Sequence, residues 1–210
     1  MSSRSPYTAT TRTRLSSPPV GSPHRHVSIV LLVALTALSA FAGAASAAPK
    51  VTVTTTSYTI WGATEAAIRS SLDRRGPGRF DASTRWAVSY RYRFGVQGGR
   101  CVVTSAAVET RIAYLYPRWR VAASAASALR VRWNRHLASL RVHEAGHGRN
   151  GRTTGVQAEA ALRRVSTSSC ATIRQAIVRT VAREIARGQA ADRAYDARTG
   201  HGASQGARFP

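Results

Sequence analysis

Hydrophobic and polar positions change their period several times along the chain, and each change marks an element. Lys50–Trp61 (KVTVTTTSYTIW) alternates β-branched and aromatic residues with small polar ones, which predicts a strand that Gly62 ends. In residues 63–75, Ala66, Ile68 and Leu72 fall near helical spacing, and Gly76-Pro77-Gly78 stops that helix. Residues 83–96 put Trp86, Val88, Tyr90, Tyr92 and Phe94 on one face, a half-buried strand. Gln97-Gly98-Gly99-Arg100 then signals a hairpin into a second strand over Cys101–Tyr116.

Pro117 predicts the switch to helix, at a first-turn position where a missing N–H costs nothing. From there to about Gly148, Leu129, Trp133, Leu137 and Leu140 recur every three or four residues. Further helices are expected over Thr154–Val165 and from Cys170 to about Arg187, followed by a terminal stretch rich in Gly and small polar residues. The expected fold is α+β over residues 48–210, a small antiparallel sheet followed by a helical half.

The N-terminus reads differently. Residues 1–26 hold four Arg and no acid, an apolar run follows from Val27 to about Ala42, and Ala45-Ser46-Ala47 precedes Ala48. A basic region, an apolar region and an A-x-A site together predict a signal peptide over residues 1–47 and export from the cytoplasm. A membrane association is expected only if that segment is retained. In an oxidising compartment the only two cysteines, Cys101 and Cys170, are most simply one disulfide. Closing so long a loop would stabilise by roughly 4 kcal/mol on the chain-entropy model.

Charge adds less than its size suggests. Lys plus Arg number 31 against nine Asp plus Glu, a formal +22, and Lys50 is the only lysine. Scattered arginines with almost no lysine reflect composition first, and attraction to an anionic surface second. No aromatic platform interleaves with Arg, so specific nucleic-acid binding is not expected. The nine acids are too dispersed for a multi-carboxylate calcium or magnesium cage.

The chemistry concentrates in His143-Glu144-Ala145-Gly146-His147, an H-E-x-x-H motif near the end of an amphipathic helix. Histidines at i and i+4 share a face and can grip one Zn2+, while the Glu between them can take a proton from a water beside the metal. A catalytic site needs a third protein ligand. The extended motif H-E-x-x-H-x-x-G-x-x-H fails, because Asn150 and Thr153 stand at its later positions. Glu159 follows too closely for a return helix, whereas Glu184 remains possible. His136 lies two turns away, about 10 Å, which is too far for the same ion. His201 in Tyr195-Asp196-Ala197-Arg198-Thr199-Gly200-His201-Gly202 could fold back on the motif helix.

These residues resemble the predicted secreted zinc-dependent proteases of bacterial domain-of-unknown-function family 922. The resemblance rests on Gly76-Pro77, Thr84-x-Trp86, Cys101, Pro117-Arg118-Trp119, Trp133, the H-E-x-x-H segment, Cys170, Tyr195-Asp196-x-x-Thr199-x-His201-Gly202 and Gln205-Gly206-Ala207. It implies that His201 belongs to the site. The expected zinc ligands are then His143, His147 and His201, with Asp196 as the alternative third ligand or an acceptor orienting a ligand histidine. Glu144 is the expected general base, and Tyr195 a candidate donor to the oxyanion. The function expected is a secreted zinc metallopeptidase acting on protein or peptide substrates, with zinc as cofactor and a zincin-like active-site helix. The alternatives are a cell-wall amidase or peptidase, and a non-catalytic basic protein of the cell envelope that retains zinc.

Overall fold

The computed structural model describes residues 49–210, so the expected signal segment over 1–47 lies outside the described residues. The chain runs β1 (Lys50–Gly62), α1 (Glu65–Arg75), β2 (Ser83–Gln97), β3 (Arg100–Val121), α2 (Ser127–Arg163), β4 (Ser166–Thr167) and α3 (Cys170–Thr199), then a short 3-10 turn at Ala203–Gln205. The class is α+β, a sheet followed by helices. Thr64 caps α1, its hydroxyl accepting from the Ala67 N–H. At the β2–β3 hairpin, Gly98 and Gly99 both take positive φ (55° and 74°), which a side chain would resist.

The sheet is mixed rather than antiparallel. Its order is β1-β3-β2, with β4 a short addition on β3. β2 pairs antiparallel with β3, Trp86 opposite Ile112, but β1 runs parallel to β3, Thr52 opposite Arg111. Alternation within β1 identifies a strand without naming its direction, and the connection through α1 decides the pairing. Pro117 is likewise inside β3, not at a helix start. It lies beyond the last β2 partner pair, Ser83 with Leu115, where β3 has a strand on one side only and proline is tolerated. There Trp119 joins Ile60 of β1, Ile68 and Leu72 of α1, and Leu129, Trp133 and Phe209 in one apolar cluster.

The two helices expected over 117–165 are one, since α2 runs unbroken for 37 residues. Its glycines are contact points rather than breaks. A Cβ on Gly148 would lie 1.9 Å from the Tyr114 hydroxyl, one on Gly151 2.7 Å from the Trp86 ring, and one on Gly155 2.0 Å from the Thr110 hydroxyl. These residues recur on one helical face, so α2 presses its backbone against β2 and β3. In α3, Gly188 makes the corresponding approach, 2.0 Å from Thr154 Oγ1 of α2. α3 therefore continues past Arg187 to Thr199, where Gly200 caps it in the left-handed region (φ 55°). The main core joins Trp86, Val88, Ile112, Leu162, Ile173, Ile177 and others between sheet and helices. The Cys101–Cys170 disulfide is present, with Cα atoms 5.1 Å apart, and ties the start of β3 to the start of α3.

Candidate metal centre

α2 and α3 each bring a pair of chemically active residues four apart to one place. On α2 these are His143 and His147; on α3 they are Asp192 and Asp196. Spacing of four keeps each pair on one face. Gly146 permits the approach, because a Cβ there would fall 2.2 Å from the Tyr195 ring. Tyr195 in turn stacks on His143, with ring centroids 5.1 Å apart and planes 15° from parallel.

Three ligating atoms converge. His143 Nε2 and His147 Nε2 are 3.4 Å apart, and Asp196 Oδ1 is 3.4 Å from the first and 3.0 Å from the second. The far nitrogens are held from outside. His147 Nδ1 lies 3.1 Å from Asp192 Oδ1, which also accepts from the Asn150 amide at 2.7 Å. His143 Nδ1 lies 3.0 Å from Gln205 Oε1, and Gln205 Nε2 lies 3.1 Å from the Tyr195 hydroxyl. Oxygen acceptors at both Nδ1 atoms place the imidazole protons there, leaving the Nε2 lone pairs aimed at a shared point. In that tautomer two lone pairs and a carboxylate oxygen face one another, a repulsion that a bound cation or a proton on His147 relieves.

Glu144 is buried beside this group, with Thr84 of β2 donating to its Oε2 at 2.6 Å. Burial pushes its carboxyl above the usual range, although Thr84 and the two histidines pull the other way. Burial alone would lower His147. The Asp192 and Asp196 carboxylates outweigh it and hold the imidazole above its ordinary value. The His147 shift reports the carboxylates around it, and the Glu144 shift reports burial.

The distribution of acids makes that pocket exceptional within this chain. Glu65 pairs with Arg132, Asp73 and Asp81 with Arg69, Glu109 with Arg111, Glu159 with Arg163, and Glu184 with Arg187. That accounts for six of the nine acids. The remaining three, Glu144, Asp192 and Asp196, meet here and have no Arg or Lys partner among the described residues.

The expected residues are thus distributed as follows. His143, Glu144, His147 and Asp196 come together. His201 stands beside the group, exposed, with Nδ1 3.6 Å from Asp196 Oδ2 and its ring against Phe80; the converging set contains Asp196 instead. The Tyr195 hydroxyl is engaged with Gln205. Glu159 and Glu184 are away in their Arg pairs, and His136 is buried against Trp133 and Phe209. Sequence reasoning missed Asp192, Asn150 and Gln205 as holders of the histidines. The four-residue repeat of Asp192 and Asp196, mirroring that of the histidines, was the available signal.

No curated protein and no solved structure matches the chain. A family model described as a bacterial protein of unknown function (DUF922) matches residues 55–202, from β1 through the end of α3 to Gly202. That span takes in both helical pairs and most of the sheet, so the chain belongs to the DUF922 family.

Proposed function

We propose that the protein is an exported zinc metallopeptidase, with a zincin-like helix α2, in which His143, His147 and Asp196 hold the metal and Glu144 is the general base. The observation that carries this reading is the convergence of two imidazole Nε2 atoms with Asp196, beside Glu144 and Asp192, the acids that have no arginine partner among the described residues. A tetrahedral zinc with bonds of 2.0–2.1 Å sets ligand atoms about 3.3 Å apart, and the three separations here are 3.0–3.4 Å. Two nitrogens and one carboxylate oxygen form a catalytic rather than structural donor set, since a fourth position stays free for substrate. Export is supported by the disulfide.

When bound, zinc supplies Lewis acidity, polarising a carbonyl and acidifying water. The chain does the rest. Thr84 holds Glu144 Oε2, which leaves Oε1 to take a proton from the attacking water and return it to the departing amine. Asp192 and Gln205 fix both histidine rings, and Tyr195 seals the His143 side. His201 steadies the second oxygen of Asp196.

Glu144→Gln tests the reading. The variant is expected to retain about one zinc per chain and to lose hydrolysis of a peptide library by about 10²–10⁴-fold. A wild-type protein that takes up no zinc, or a variant with unchanged turnover, overturns it.

A further inference from the structure

The helices α2 and α3 pack on one side of the sheet, and the opposite side of its β2–β3 half carries nothing among the described residues. The register shows what faces outward there. Arg85 lies opposite Ala113, Ala87 opposite Arg111, Ser89 opposite Glu109, and Arg91 opposite Ala107. β1 adds Lys50, Thr52 and Thr54 opposite Glu109, Arg111 and Ala113. Arg85, Arg91, Arg93 and Arg111 are all exposed. Five cations against one acid, Glu109, leave this face at +4.

The charges are available. Arg85, Arg91 and Arg93 have no carboxylate partner among the described residues, and Glu109 is divided between Arg111 and Lys50, at 3.3 Å and 3.9 Å. Between Arg85 and Arg111 the small side chains Ala87 and Ala113 floor a groove of about 480 Å3, with Thr52 and Thr54 on its β1 side. Same-face residues on a strand repeat about every 6.8 Å, so the arginines form a row running along β2 rather than a single cluster.

We propose that this open sheet face binds a linear, non-nucleic polyanion, a phosphate- or uronate-bearing polymer of the kind found outside cells. The row of cations suits a chain of repeating negative charges laid along β2. The rest of the face selects among polyanions. Around the arginine row its other outward side chains are Thr52, Thr54, Ala87, Ser89, Ala107 and Ala113, with Leu115 at one end and no aromatic ring among them to stack a base. Nor is there an apolar patch to enter a bilayer. The proposal does not depend on the metal centre, which lies on the helical side.

The test uses the whole chain with inorganic polyphosphate and polygalacturonate as probes, titrated at several salt concentrations. A quadruple variant Arg85→Ala, Arg91→Ala, Arg93→Ala, Arg111→Ala is compared with Arg149→Ala, Arg152→Ala, Arg179→Ala, Arg183→Ala. The second set removes equal charge from exposed positions of α2 and α3. The sheet variant is expected to bind at least tenfold more weakly, with a salt slope shallower by about 3, and the helix variant to change less than threefold. The four Arg→Lys changes on the sheet face restore binding. Preference between the two probes identifies phosphate or uronate as the recognised group. Equal losses in both quadruple variants overturn the proposal, as does tighter binding to single-stranded DNA or to anionic phospholipid vesicles.

Discussion

Helix α2 carries two histidine–carboxylate clusters two turns apart, one buried and one part-buried, and they are finished differently. At His136, Nε2 lies 3.3 Å from Asp81 Oδ2, and Arg69 Nη1 meets the same oxygen at 3.0 Å. At His143 and His147 the carboxylate is Asp196, which pairs with no arginine among the described residues. Both clusters sit under aromatic rings, Trp133 and Phe209 in one, Tyr195 in the other. The first contains its own cation, so its charge is closed within the protein. The second has no Arg or Lys partner among the described residues. Negative charge withdrawn from water is costly unless it is paired or coordinates a metal; with Glu144 buried and Asp192 and Asp196 part-buried, that contrast is the main support for metal binding.

The largest effect should come from Asp196→Ala. A zinc site of four ligands binds with about 10–16 kcal/mol, so losing one protein ligand should remove about 3–4 kcal/mol and most of the bound zinc. Metal analysis after dialysis reads this directly, and full zinc retention would pass the third position to His201. The matching change at the closed cluster, Arg69→Met, should act on stability instead. Leaving Asp81 buried without its guanidinium costs about 3 kcal/mol by denaturant unfolding, with zinc content unchanged. If Arg69→Met released zinc, the two clusters would be one system and the contrast would fail.

Asp192→Asn is a smaller change, because it alters the acceptor behind His147 rather than a ligand. It should weaken zinc about 10–100-fold in a competition titration; an unchanged affinity would reduce Asp192 to a partner of Trp86. The pH dependence of stability gives the subtlest separation. Burial raises Asp81, but His136 and Arg69 more than offset this, so its folded pKa lies below the ordinary value. Its contribution is present above about pH 3.9 and fades as pH falls through the folded pKa. His147 is shifted upward, so in chelator its contribution is full below about pH 6.5 and fades as pH rises through the folded pKa. Glu144, also raised, has the same sign. Thermal melts in chelator should therefore lose stability on both sides, with the alkaline loss reduced in His147→Ala to the part that Glu144 carries and the acid loss retained. An alkaline loss unchanged in His147→Ala would assign it elsewhere.

Much of this was readable from the residues. β1, α1, β2 and the glycine hairpin follow from period and turn chemistry, and the H-E-x-x-H helix from spacing. The disulfide follows from there being only two cysteines. What escaped depends on partners far away in sequence. Pro117 starts a helix as readily as it sits in a strand with one unpaired edge, and only the end of the β2 pairing at Ser83 makes it the latter. Gly148, Gly151 and Gly155 weaken an isolated helix, but against Tyr114, Trp86 and Thr110 they are what lets it lie on the sheet. Because Gly188 has the same role, α3 runs on to Asp196. The residues 192–199 thus belong to a helix facing α2, and not to the Gly-rich tail that composition suggested.

The ligand set is the sharpest point of the account. Zinc K-edge X-ray absorption on the purified, zinc-loaded protein should show one ion per chain, with two imidazole nitrogens and one carboxylate oxygen at about 2.0–2.2 Å. Three imidazoles in that shell would contradict the assignment of Asp196, and a protein that takes up no zinc would contradict the metal centre itself.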